Sequence, residues 1–207
     1  MLTEKRLKEI ERKVPEMINR EDIVKDNKNK QLVNLFIENS LVSLNTARIL
    51  QIISTDQSLK EQFDFINNDF EAYLWTINSA YYSMFYMSGA VLAKIGVRVK
   101  SDIGVHRKTF ETLVYYFYLT KKIAKQYLEE FEKAQKSSQE LLGTEEPILV
   151  MQKKVKELMA KYDFERGKRA TFTYNMGIKA KANKAKTSIE RAKEFYNECL
   201  KIIDRLD

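Results

Sequence analysis

The residues that could carry chemistry lie in two basic stretches of the chain. The first stretch spans residues 96–107, and its chemically able side chains are Arg98, Lys100, His106 and Arg107. The second stretch spans residues 164–177 and reads FERGKRATFTYNMG. Arginine neutralises a phosphate with a planar fork of donors, and a histidine of pKa near 6.5 exchanges protons at neutral pH. Residues of these types could bind phosphate, and His106 could also provide a general acid or base; solvated cations and aromatic rings that pack at the end of the fold are the alternative interpretation.

A single histidine and a single cysteine limit the available chemistry. His106 alone cannot form the two-histidine motifs of zinc proteases or di-iron bundles. Cys199 has no partner for a disulfide within the chain and falls on an apolar stripe, so we expect an inert buried thiol. Glu129, Glu130 and Glu132 fall within one helical turn without a second acidic cluster, which is typical of a solvated face. We expect no metal and no cofactor.

The charge balance favours an anionic partner. The chain has 36 Lys and Arg against 29 Asp and Glu, a net charge of +7, which attracts polyanions over long range. A solvated basic surface is the alternative interpretation. The first residues contain acids and bases without an apolar core, so they do not form a signal peptide, and we expect a cytoplasmic protein with no membrane partner.

Helices must position these residues, because six Gly and two Pro are too few for the turns of a β-sandwich or barrel. We predict an all-α, up-and-down bundle of four to five core helices with an N-terminal helical extension. Apolar periodicity predicts helices over residues 32–53, 70–95, 105–117, 121–142, 147–163 and 178–206. The uncharged stretch Ala72–Ala93 carries many hydroxyl and amide groups, so it is predicted to be the axis of the bundle rather than a membrane span. Its helix should stop at Gly96.

The N-terminal residues differ in composition from the remainder. Residues 3–20 are predicted to form a charged helix that Pro15 interrupts, and residues 20–30 are almost wholly polar. We therefore divide the chain into an N-terminal helical extension and linker at 1–30, expected to pack loosely, and a helical bundle at 31–207.

The segment AYYSMFY at residues 80–86 is followed in order by Ala90, Leu92, Gly96, His106 and Phe110. Because of the order and spacing of these residues, the stretch Trp75–Phe110 resembles the HEPN family of helical bundles. The segments IENSLVSLNTARIL at 37–50, RGKRATFTY at 166–174 and IERAKEFYNECLKII at 189–203 extend the similarity. The resemblance covers most of the chain after residue 30 and implies a four- or five-helix bundle that dimerises.

The resemblance also implies a functional setting. Family members occur in toxin–antitoxin pairs, in antiviral effectors and beside nucleotidyltransferase domains. Many are metal-independent ribonucleases whose motif is an arginine, four to six residues and then a histidine, just before the last helix. Here four residues separate Arg169 from Tyr174, which stands in place of that histidine. A tyrosine of pKa near 10 is a poor base at neutral pH, so we expect weakened or absent catalysis.

Three hypotheses follow. The first is a HEPN-like homodimer that contacts RNA, a nucleotide or another phosphate-rich ligand in a defence, toxin–antitoxin or stress setting. The second is a metal-independent ribonuclease toxin in which His106 is a displaced base. The third is a non-enzymatic docking partner of a nucleotidyltransferase.

The candidate residues divide by role. The catalytic candidates are His106, Arg169 and Tyr174. The candidate RNA and phosphate contacts are Arg166, Lys168, Arg169, Arg98, Lys100 and Arg107. His106 matches a histidine that many family members carry at this helix start outside the ribonuclease motif, so a packing or capping role is favoured for it over catalysis.

Overall fold

The computed structural model describes residues 2–100, 104–142 and 178–206. Their helices are α1 (Glu4–Asn19), α2 (Val33–Thr55), α3 (Gln57–Lys60), α4 (Tyr73–Lys94), α5 (Val105–Leu113), α6 (Lys125–Leu142) and α7 (Ile178–Asp204). A 3₁₀-helix covers Asn27–Leu32, a π-helical turn at Val114–Tyr118 continues α5, and two short strands are β1 (Ile23–Lys25) and β2 (Val97–Val99). The predicted all-α bundle is confirmed. The helix predicted at 147–163 lies outside the described residues.

Helix α4 is the axis of the bundle, as its uncharged sequence predicts. Side chains on all its sides are buried, including Tyr81, Met84, Met87 and Val91, because α2, α6 and α7 surround it. Small residues let α2 approach closely, and the Ser40 hydroxyl donates to the Ser83 carbonyl at 2.8 Å. Within the described ranges no helix combines the length and apolar character that crossing a membrane requires.

Helix α4 ends where Gly96 turns the chain into β2. Gly96 adopts φ +77°, and its N–H donates to the Ala93 carbonyl at 2.8 Å. A left-handed residue at this point satisfies carbonyl groups that the last helical turn leaves open, and glycine adopts it without steric cost. The predicted stop at Gly96 is therefore confirmed.

Helix α1 packs tightly, so the expectation of a loose helix interrupted at Pro15 is wrong. The helix continues through Pro15. Ile10, Val14 and Met17 recur at helical spacing and are buried in the same core as the residues of α4. This burial outweighs the loss of one backbone hydrogen bond at the proline.

A two-stranded antiparallel ribbon occupies two regions that were predicted to be linker and loop. Strand β1 pairs with β2, with Ile23 opposite Val99 and Lys25 opposite Val97. Each strand has only three residues, too few for an alternating pattern to stand out in the sequence. The ribbon joins the region after α1 to the end of α4 and fixes the position of Arg98.

Candidate functional site

His106 lies near the start of α5, inside a cluster of rings from α4. Its side chain is 1% exposed. Its Nδ1 is 2.7 Å from the Tyr81 hydroxyl oxygen, and the Phe85 ring centroid is 4.3 Å from that of the imidazole. The Tyr82 ring meets the imidazole edge-on at 5.8 Å. Tyr81, Tyr82 and Phe85 come from little more than one turn of α4, so a single helix supplies the walls of this cluster.

Burial determines the protonation state of the cluster. It lowers the pKa of His106 to about 4, so the imidazole is neutral at neutral pH. It also raises the pKa of the Tyr81 and Tyr82 phenols, which stay protonated. The hydrogen bond to Tyr81 is thus a bond between neutral groups, and Nε2 of His106 is buried without a hydrogen-bond partner among the described residues. A buried neutral ring held in this way suits packing and orientation better than proton exchange with a bound substrate.

The three candidate phosphate contacts of the first basic stretch face solvent. Arg98, Lys100 and Arg107 are all exposed. The Arg107 guanidinium lies 4.0 Å from the Glu111 carboxylate one turn along α5. Within the part of the chain that the structure describes, Arg98 has no acidic partner.

Arg98 lies at the edge of a small pocket of about 190 Å³. The other residues lining it are Phe36, Phe85, Gly89, Leu92, Val97, Val99, Val105 and Thr109. Phe85 belongs both to this wall and to the rings around His106. The structure therefore brings Arg98 close to the His106 cluster, with an aromatic side chain between the pocket and the imidazole.

The second basic stretch cannot be placed relative to the first. Arg166, Lys168, Arg169 and Tyr174 lie outside the described residues. Their meeting with His106, and their phosphate contacts, stay predictions.

A further basic cluster was missed in the sequence. An open cavity of about 590 Å³ is lined by Lys121, Lys122 and Lys125, which follow the π-helical turn, and by Arg205, which follows the last residue of α7. We call these four residues the cationic end. Tyr118 and Glu198 also line the cavity. The sequence signal was the pair of lysines at 121 and 122, but nothing in it indicated that Arg205, more than 80 positions later, would lie beside them.

The cations of this cluster differ in their partners. Lys125 pairs with Glu129 at 3.7 Å, and Glu198 pairs with Lys201 at 3.5 Å. Among the described residues, Lys121, Lys122 and Arg205 have no acidic partner. Converging cations that are not neutralised within the protein attract phosphate groups.

Backbone hydrogen bonds hold the two lysines on a tight turn. The N–H groups of Lys122 and Ile123 both donate to the Phe117 carbonyl, at 2.7 and 3.1 Å. Lys121 takes φ +58°, the left-handed conformation that reverses the chain here. The Lys122 ammonium lies 6.0 Å from the centroid of the Phe117 ring. The positions of both cations therefore depend on a defined turn between α5 and α6.

The acidic residues of α6 tie helices together. Glu130 pairs with Arg191 of α7 and Glu132 with Arg6 of α1, so these two acids are more than the solvated face that the sequence suggested. Over residues 2–100, 104–142 and 178–206, no group of three or more His, Cys, Asp or Glu side chains could hold a metal ion. Cys199 is buried, and burial raises the pKa of its thiol, as expected for an inert group.

The fold and these sites define a class: a helical bundle whose central helix is uncharged up to its last residue, Lys94, with a buried histidine and a cationic end. Comparison of the chain with family models, with curated proteins and with solved structures finds no match.

Proposed function

We propose that this protein is a HEPN-like helical bundle that acts as a homodimer and binds RNA or another phosphate-rich ligand, in a defence, toxin–antitoxin or stress setting. The observation that carries the proposal is the cationic end, where Lys121, Lys122 and Arg205 converge on one open cavity without acidic partners among the described residues. The net charge of +7 adds long-range attraction for polyanions.

The composition of the cavity favours nucleic acid among phosphate-rich ligands. Tyr118 lines the same cavity as the three cations and is partly exposed. Proteins that bind single strands combine a positive groove with aromatic rings on which unpaired bases stack. RNA with unpaired bases is therefore the ligand to test first.

Binding without efficient catalysis is the form of the proposal that the His106 cluster supports. A general base must come within hydrogen-bond distance of the proton it removes. The imidazole of His106 is enclosed by rings of α4 and is neutral at neutral pH, with a pKa of about 4. The alternative in which His106 is a displaced ribonuclease base receives no support from this arrangement.

The test is binding of a fluorescent single-stranded RNA to the full chain in EDTA, over a range of salt concentrations. Substituting Lys122→Ala and Arg205→Ala together should weaken binding and reduce the salt slope by about 0.7 for each phosphate that the variant no longer neutralises. The matched control is Lys13→Ala on α1, because Lys13 pairs with Glu9 at 2.5 Å and lies outside the cationic end.

Unchanged affinity and slope in the double variant would remove the cationic end from the proposal. Cleavage of the RNA in EDTA, abolished in His106→Ala, would favour the ribonuclease alternative.

A further inference from the structure

The outward face of α2 is largely apolar. Val42, Ile49 and Leu35 on this face are 63%, 55% and 50% exposed. The exposed residues of α2 are Asn34, Leu35, Glu38, Leu41, Val42, Asn45, Thr46, Ile49, Ile52 and Thr55. Only Glu38 among them carries a charge. A contiguous apolar patch of this kind marks an interaction surface.

The apolar residues on this face follow a heptad. Leu35, Val42 and Ile49 are seven residues apart, and Glu38, Asn45 and Ile52 fill the intervening positions. We call these six residues the α2 stripe. Ser40, Ala47 and Ser54, also seven apart, are buried on the other side of the helix. The helix therefore has an inner face, small residues together with Leu44, against the core, and an outer seam of the type that joins helices in coiled coils.

We infer that the α2 stripe joins two copies of this chain, packed antiparallel across a two-fold axis. This inference rests on the proposed homodimer and adds the surface through which it forms. Successive members of the stripe lie three, four, three, four and three positions apart in the sequence. That order reads the same in both directions, so the stripe fits itself when one copy is reversed. A two-fold interface requires this self-complementarity.

The position of the single charge selects the antiparallel arrangement. Reversing one copy sets Val42 level with Asn45 of the partner subunit and Glu38 level with Ile49 of the partner subunit. Arg48 of the partner subunit precedes that Ile49 in the sequence, so this register places a cation near the Glu38 carboxylate. In a parallel pair the two Glu38 carboxylates would face each other across the seam, and like charges directly opposite repel.

The first test is the oligomeric state of the full chain by sedimentation at several concentrations. Val42→Glu places two carboxylates in the seam, and the dimer dissociation constant should rise about 100-fold or more. Thr187→Glu is the matched control, because it adds the same charge at an exposed position on α7 and should leave the constant unchanged. Helix content by circular dichroism checks that both variants are folded.

The outcomes separate this inference from the proposed function. A wild-type chain that stays monomeric would overturn both the homodimer and the α2 interface. A wild-type dimer that Val42→Glu does not weaken would overturn the α2 interface alone. The salt slope of RNA binding is measured on the same samples. It tests the cationic end in a monomer and in a dimer alike.

The second test is the register. Chains carrying Val42→Cys and chains carrying Asn45→Cys are mixed and oxidised, and a disulfide between the two variants should form rapidly. The native Cys199 is buried and does not compete. A mixture of Leu35→Cys and Asn45→Cys is the control, because the register sets these positions about two helical turns apart. Equal rates in both mixtures, or faster linking of each variant to itself, would overturn the antiparallel register.

Discussion

The Tyr81 hydroxyl lies 2.7 Å from Nδ1 of His106, and this hydrogen bond joins α4 to α5 inside the bundle. Both side chains are almost fully buried. His106 is the only histidine of the chain, so its signals can be observed without assignment to other rings. The hydrogen bond therefore offers a direct test of whether this histidine is a structural or a proton-exchanging residue.

The first prediction is that His106 makes the fold less stable in mild acid. The folded pKa is about 4, against about 6.5 for an unfolded chain. Between these values the unfolded chain binds a proton that the folded chain does not, so the free energy of unfolding falls as the pH is lowered through this range. The full effect is about 3 kcal/mol, present above pH 6.5 and lost towards pH 4.

Two measurements check this prediction: nuclear magnetic resonance follows the protonation of the His106 imidazole, and urea unfolding gives the free energy of unfolding at each pH. The imidazole signals should not shift between pH 8 and pH 5. In urea unfolding, His106→Gln should lose the part of the pH dependence that lies between pH 6.5 and 4, because its amide does not titrate. An imidazole that titrates near pH 6.5 in the folded protein would contradict the prediction.

The second prediction compares two neighbouring tyrosines. Tyr81→Phe removes the hydroxyl that faces Nδ1 of His106 and leaves that buried nitrogen without this hydrogen bond, at a cost of about 1–3 kcal/mol. Tyr82→Phe removes a buried hydroxyl that has no hydrogen-bond partner among the described residues and should leave stability unchanged or increase it. Urea unfolding at pH 7 measures both. Equal losses in the two variants would show that the Tyr81 hydroxyl contributes no specific hydrogen bond.

The third prediction compares two glycines at and near the end of α4. Gly96 has φ +77°, and a Cβ there would lie 3.1 Å from the Asp26 carbonyl oxygen. Gly96→Ala should therefore cost about 1–2 kcal/mol or more. Gly89 lies inside the helix, and a Cβ there would meet the Phe36 ring at 3.3 Å. Gly89→Ala should be nearly neutral, because the gain in helix propensity of about 1 kcal/mol offsets the shift of that ring. Thermal unfolding measures the difference, and a larger loss of stability for Gly89→Ala would contradict it.

Much of the fold could be predicted from the sequence because long helices leave a periodic signal. The uncharged run of α4 and the apolar stripe of α7 extend over many turns, and Gly96 marked the end of α4 by its conformational freedom. The three-residue strands β1 and β2 left no comparable signal. The continuation of α1 through Pro15 could not be predicted, because the burial of Ile10 and Val14 depends on helices far away in the sequence.

The candidate site was predictable only in part. Basic residues around His106 could be found from their types, and the helix start at this position is confirmed. Its burial could not be foreseen, because the rings that enclose it come from α4, some 20 residues earlier. The cationic end likewise depends on the turn that carries Lys122 lying beside the end of α7, and short-range patterns do not report such tertiary arrangements.

The ribbon has a consequence for the order in which the chain can fold during synthesis. Strand β1 pairs with β2, so Ile23 meets a partner 76 positions later, at Val99. Pairings of such long sequence separation form late, since the intervening chain must first be brought to order. Strand β1 therefore leaves the ribosome well before its partner β2, and α1, which packs against α5, must likewise wait until α5 has followed. A segment that is translated earlier is thus held in place by segments that are translated later.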